Sequence, residues 1–166
     1  MVVQAQNGTK LNGVSNGSQT FTNPTVINLD LKGGDDTLNL TDYLGGQVNL
    51  QMGSGNDTLN ATSTVCDASF VVDMGSGNDK FKMSGTSDKP SQNAVNLDIT
   101  GNSGNDRILI DHTTVGQKFL VDCGNGNDIL GVASSQFSGE TQIDLGTGND
   151  LLGMSSSRLS SAVTLL

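Results

Sequence analysis

Six copies of one short pattern at a nearly constant spacing constrain this chain more than any other feature. They are Lys32-Gly33-Gly34-Asp35-Asp36, Gly53-Ser54-Gly55-Asn56-Asp57, Gly75-Ser76-Gly77-Asn78-Asp79, Asn102-Ser103-Gly104-Asn105-Asp106, Gly124-Asn125-Gly126-Asn127-Asp128 and Gly146-Thr147-Gly148-Asn149-Asp150. The closing aspartates fall at 36, 57, 79, 106, 128 and 150, a period of about 22 residues with one longer step of 27. Self-similarity at such a period marks a stacked architecture in which each unit packs only on its neighbours.

Apolar residues alternate with polar ones on both sides of each pattern. Two and four residues after the Asp stand pairs such as Leu38/Leu40, Phe81/Met83 and Ile108/Ile110; seven and five before it stand pairs such as Leu50/Met52, Val72/Met74 and Val121/Cys123. Period-2 alternation predicts one strand entering each glycine turn and one leaving it, both apolar on the inner side. A shorter third segment is read around Val65, Val115, Phe137 and Leu159. A single coil cannot bury such a face, whereas coils stacked at about 4.8 Å bury it against each other. The predicted fold is all-β: a single-stranded parallel β-solenoid (β-helix) of six coils of about 22 residues over 25–166. Residues 1–24 carry Asn7-Gly8, Asn12-Gly13 and Asn16-Gly17, each a tight-hairpin signal, and are predicted to cap the first coil. The long step is assigned to a loop insertion at 84–94 and one extra residue in Gly101-Asn102-Ser103-Gly104, which lengthens the fourth turn.

Composition supports this reading. Sixteen Asp stand against a single Glu (Glu140), beside 17 Asn and 22 Gly, which disfavours helices. Leu, Ile, Val and Phe make up 42 of 166 residues, enough to fold. A net charge of −9 disfavours nucleic acid as a partner and favours cations. No apolar run reaches the roughly 18 residues of a membrane span. Val2-Val3-Gln4 does not read as a signal peptide, so the sequence reads as cytosolic or as a piece of a longer chain. Cys66 and Cys123 match neither a disulfide framework nor a zinc site and are expected to be buried free thiols.

The glycines of the turn need no further explanation than positive φ. The repeated Asp does. Like charges about 4.8 Å apart repel by about 0.9 kcal/mol even at the dielectric of water. An Asn would serve the turn without that cost, so a positive group is expected between the coils.

Gly53-Ser54-Gly55-Asn56-Asp57-Thr58-Leu59-Asn60 resembles eight of the nine positions of the calcium-binding nonapeptide of RTX proteins, and the match recurs at Gly75, Gly124 and Gly146. The resemblance implies Ca2+ held between successive turns by aspartate carboxylates and glycine-turn carbonyls, an all-oxygen ligand set. Carried over, the ligands are Asp57 with Asp79 and Asp128 with Asp150, supported by Gly53, Gly55, Gly75, Gly77, Gly124, Gly126, Gly146 and Gly148. Asp36 and Asp106 are weaker members, because Lys32 stands where a Gly is expected and its ammonium could replace a cation, and because the fourth turn reads as lengthened. Only one edge of each coil carries the pattern, so calcium is expected on one edge. The roughly 22-residue coil with a hairpin start resembles repeat segments of very large secreted bacterial surface proteins.

Catalysis is not expected. Asp30, Asp73, Asp122 and Asp144 form an outward column, but Lys80, Lys82 and Arg107 fall on another strand and His112 has no neighbouring nucleophile in sequence. The expected function is a non-catalytic calcium-binding structural module of an extracellular or cell-surface protein, a stalk or adhesin segment whose partners are neighbouring repeats. Alternatives are a glycan-binding domain using Lys80, Lys82 and Arg107 and, more remotely, a polysaccharide-active enzyme. Leu165-Leu166 give the last coil no polar cap, so end-to-end self-association is also expected.

Overall fold

The computed structural model describes residues 2–4, 10–11, 14–15, 18–20, 24–85, 91–93 and 96–166, with side chains from 24 onward except at 92–93. Near the N-terminus, β2 (Lys10–Leu11) and β3 (Val14–Ser15) pair antiparallel with Leu11 opposite Val14, as Asn12-Gly13 between them requires. β1 (Val2–Gln4) pairs antiparallel with β4 (Ser18–Thr20), and β1 lies beside the first strand to leave a glycine turn, Thr37–Thr41. One hairpin is thus nested in sequence within an outer pair, rather than following others in a row. Asn7-Gly8, Asn12-Gly13 and Asn16-Gly17 themselves lie outside the described residues.

The rest is a parallel β-solenoid of about six turns. The strands leaving the glycine turns form a six-stranded parallel sheet in axial order: β6 (Thr37–Thr41), β8 (Thr58–Thr62), β10 (Lys80–Ser84), β13 (Arg107–Asp111), β16 (Ile129–Ala133) and β19 (Leu151–Ser155). The strands entering them are β5 (Val26–Asp30), β7 (Leu44–Gln51), β9 (Val65–Asp73), β12 (Asn96–Thr100), β15 (Lys118–Asp122), β18 (Glu140–Asp144) and β21 (Val163–Leu165). They share an eleven-stranded sheet with the short segments β11 (Ser91–Asn93), β14 (Thr113–Val115), β17 (Gln136–Phe137) and β20 (Arg158–Leu159). β7 and β9 run through both positions, with a register shift between Gly45 and Gln47.

The registers stack like residues into columns. Leu38, Leu59, Phe81, Ile108 and Leu130 form one and Val48, Phe70, Leu97 and Phe119 another, all at most 1 % exposed. Full burial stabilises each such side chain by about 1.5–3 kcal/mol. Two stacked rings, Phe119 and Phe137 at 4.3 Å between centroids, join the sheet positions across the core. In the last coil the columns open: Met154 and Leu165 are exposed because no following strand covers them.

Three details differ from the sequence reading. The short-segment column runs through Cys66, Val115 and Phe137, with Val65 half-exposed beside it. The fourth turn is not lengthened: Thr100 lies opposite both Asp73 and Asp122, and Ser103 bridges Ser76 and Asn125. The extra length lies entirely between Ser84 and Ser91, seven positions where two separate the matching Asp111 and Thr113. Residues 91–93, counted in the predicted loop, are the strand β11.

A candidate cation column at the glycine corner

The glycine corner is closed by backbone bonds between coils. Ser54, Ser76, Ser103, Asn125 and Thr147 form a continuous parallel bridge. Each of their N–H groups donates to the carbonyl of the preceding coil's first turn residue, as Ser76 N does to Gly53 O at 2.9 Å. Each second turn glycine donates forward, as Gly55 N does to Ser76 O at 2.8 Å. The contact is close enough that a Cβ on Gly77 (φ 130°) would sit 1.9 Å from Gly55 O. At the first turn position a Cβ on Gly124 would come as close, 2.1 Å from Asn102 O, yet Lys32 (φ 73°) and Asn102 (φ 71°) hold the left-handed conformation there.

Two side-chain ladders run through this corner in opposite directions. On the outside, the Oδ1 of Asp35, Asn56, Asn78, Asn105 and Asn127 accepts the N–H of the equivalent residue one coil later, at 2.7–2.9 Å. On the inside, the Oδ1 of Asp57, Asp79, Asp106, Asp128 and Asp150 accepts the N–H of the equivalent Asp one coil earlier, at 2.7–2.8 Å. The Asp column therefore runs unbroken through Asp106. The alternation that sends Leu38 inward sends Asp36 inward too, so Asp36, Asp57, Asp79, Asp106 and Asp128 are only 1–2 % exposed.

Their second oxygens have no partner. The Oδ2 atoms of Asp57, Asp79, Asp106 and Asp128 are buried without a hydrogen bond, and Asp36, with no coil before it, has both oxygens so. Burial pushes the Asp79 carboxyl up to about 7, aided by the charges of Asp106 and Asp57. It pushes Asp36 and Asp106 up to about 6, with Asp57 and Asp128 as the respective neighbouring charges, while Asp57 and Asp128 are raised by the same cause. Cys123, just past the strand entering the fifth turn, is raised to about 12 by burial and then by Asp128.

The opposite corner does the same backbone task with hydroxyls. Asp42, Ser63, His112, Ser134 and Ser156 take φ between 46° and 51° there. At three steps a hydroxyl accepts the N–H of the preceding coil, Thr64 N to Ser91 Oγ, Thr113 N to Ser135 Oγ and Ser135 N to Ser157 Oγ, at 3.1–3.3 Å, whereas Ser91 N donates to His112 O. Ser91, Thr113, Ser135 and Ser157 also donate to a carbonyl of their own coil. Sequence reasoning missed this second ladder, although Ser63-Thr64, His112-Thr113, Ser134-Ser135 and Ser156-Ser157 recur in phase with the glycine turns.

The other singled-out residues fall as follows. Lys32 is exposed and its ammonium pairs with Asp30, so it does not stand in for a cation beside Asp36. Asp30, Asp73, Asp122 and Asp144 do align on the eleven-stranded sheet, with Gln51 and Thr100 completing their column. Lys80 and Arg107 are register neighbours on the six-stranded sheet. His112 Nδ1 lies 2.8 Å from Asp111 Oδ1 at the hydroxyl corner. Cys66 and Cys123 are both buried free thiols.

The donor chemistry of the column fits a hard cation, since the unsatisfied groups are carboxylate oxygens lined up along the axis. Among the described residues no three acidic, His or Cys side chains converge on one point. The first-glycine carbonyls are already acceptors, so a cation would draw chiefly on the Oδ2 atoms of neighbouring aspartates. No helix of the described residues is long and apolar enough to cross a membrane. Comparison of the chain with family models, curated proteins and solved structures finds no match.

Proposed function

We propose that this chain is a non-catalytic structural module, an RTX-like solenoid whose glycine-corner aspartates take up Ca2+ and stiffen the stack. The observation behind this reading is the row of buried, unpartnered Asp oxygens. A buried carboxylate is costly unless it is neutralised. The hydroxyl corner clips its coils with no charge at all, so backbone closure alone does not call for a carboxylate. Neighbouring pairs, Asp57 with Asp79 and Asp128 with Asp150, would supply the anionic oxygens; the intact fourth turn adds Asp106 to both neighbours. The glycines at 53, 55, 75, 77, 124, 126, 146 and 148 let the coils approach closely enough for this.

Calcium near 10⁻⁴ to 10⁻³ M, the range used by extracellular modules, makes the outside of a cell the natural setting. A stalk or adhesin segment continuous with further repeats is the matching role. Thermal melting in millimolar calcium and in chelator tests the reading, because a ligand that binds only the folded state raises the midpoint. A clear rise that is lost in Asp57→Asn/Asp79→Asn supports it. An unchanged midpoint overturns it and leaves a proton-neutralised column.

A further inference from the structure

The outer face of the six-stranded sheet changes character along the solenoid axis. Over the first two coils its outward residues are Thr37, Asn39, Thr58 and Asn60. Over the next two they are Lys80, Lys82, Arg107 and Leu109, and over the last two Ile129, Gly131, Leu151 and Gly153. Lys80 and Arg107 stand directly opposite one another, and like charges so placed repel. In a chain of net charge −9, none of the three cations has an ion pair or hydrogen bond among the described residues. Lys82 also lines a shallow groove of about 440 Å³, together with Leu109, Asp111, Gly131, Gly153 and Met154. Both glycines serve the groove rather than the backbone. Neither needs positive φ; a Cβ at Gly153 would meet nothing within 4 Å, and one at Gly131 would meet only Leu109 Cδ2, at 2.8 Å.

We infer that this face binds an extended carboxylated saccharide, independently of any calcium at the glycine corner. Its carboxylates lie on Lys80, Lys82 and Arg107, and the apolar C–H face of an adjoining sugar ring lies over the glycine floor beside Leu109. The pairing of an anionic edge with a flat apolar face is what the juxtaposed cations and groove can satisfy together. An acidic peptide fits less well. The backbone groups of β10, β13 and β16 are paired with strands on both sides, so a peptide laid on this face finds no ladder to extend.

Titration of the whole chain in low salt with a hyaluronan oligosaccharide, its carboxyl methyl ester and poly-glutamate decides the matter. The acid form binds, the ester does not, and poly-glutamate binds more weakly. Lys82→Ser and Arg107→Ser each weaken binding about tenfold, the loss of a charge-assisted contact. Gly153→Val, which fills open space, weakens it comparably while the melting midpoint holds, and Lys118→Ser leaves it unchanged. Lys80→Ser melts no lower than the parent, since it relieves repulsion. Absence of binding, equal binding of poly-glutamate, or indifference to Gly153→Val overturns the assignment.

Discussion

The two corners of each coil close the same kind of backbone gap with different chemistry. At the hydroxyl corner, the Ser135 hydroxyl accepts the N–H of Thr113 and donates a hydrogen bond to Ala133 O, so every polar atom of that side chain is used. At the glycine corner, Asp79 accepts the N–H of Asp57 through one oxygen and keeps the other buried and idle. A neutral side chain suffices for closure. The carboxylate brings a repulsive charge that only a cation or a proton removes, so the glycine corner is the one expected to respond to cations and pH, whereas the hydroxyl clips themselves carry no titratable group.

Substitutions that break the stacking itself should have the largest effect. Gly126→Ala must place a Cβ where the ideal position is 1.7 Å from Gly104 O, at φ 144°, and is expected to cost about 4 kcal/mol or more in urea unfolding. Gly124→Asn also meets a backbone oxygen, Asn102 O at 2.1 Å, but falls where Asn102 itself holds φ 71°, so it should cost less. Equal losses would show that the two turn glycines are not distinct.

The pH response sharpens the comparison next. Asp79, Asp36 and Asp106 sit at about 7, 6 and 6 in the folded chain against an ordinary value of 3.8, so between these values the folded state holds more protons than the unfolded. Their contribution is fully present below about pH 4 and is lost as pH rises through the folded values. In chelator, the melting midpoint should therefore fall between about pH 4 and 7, and calcium should flatten that fall by stabilising the ionised column. A midpoint that rises with pH across this window would contradict a raised carboxylate column.

Single-side-chain changes then separate the corners. Asp79→Asn keeps an acceptor for Asp57 N while deleting the idle charge, so in chelator at pH 8 its midpoint should exceed the parent's, with a smaller calcium response. A lower midpoint there would mean that the carboxylate stabilises closure after all. Ser135→Ala strands Thr113 N and should cost about 1–2 kcal/mol. That loss should be the same with and without calcium; a calcium-dependent loss would couple the two corners.

Most of the architecture was legible from the spacing alone. Residues two and four after each Asp are buried because period-2 alternation and a fixed repeat leave one inner side, and the structure stacks Leu38, Leu59 and Phe81 accordingly. The same rule places Asp36 and Asp57 inside. Reading could not say that the first oxygens of Asp57 and Asp79 clip the preceding coil, because each bond joins residues 21 or 22 positions apart across a stacking offset. Lys32 was misread because its reach to Asp30 depends on how the exposed chain bends. The extra residue read in Gly101-Asn102-Ser103-Gly104 is absent from the stack, where the register sets Asn102 against Gly75 with nothing inserted.

Periodicity and alternation, both local properties of the chain, thus determined that coils form and which side chains they turn inward, since a stack of like units has only one way to bury its apolar columns. Tertiary structure alone decided which corner leaves carboxylate oxygens unsatisfied, which turn carbonyls are spent between coils, and where Lys82 meets a glycine-lined groove. These depend on atoms of different coils approaching within a hydrogen-bond length, and the axial register that sets such distances belongs to the assembled stack rather than to any single repeat.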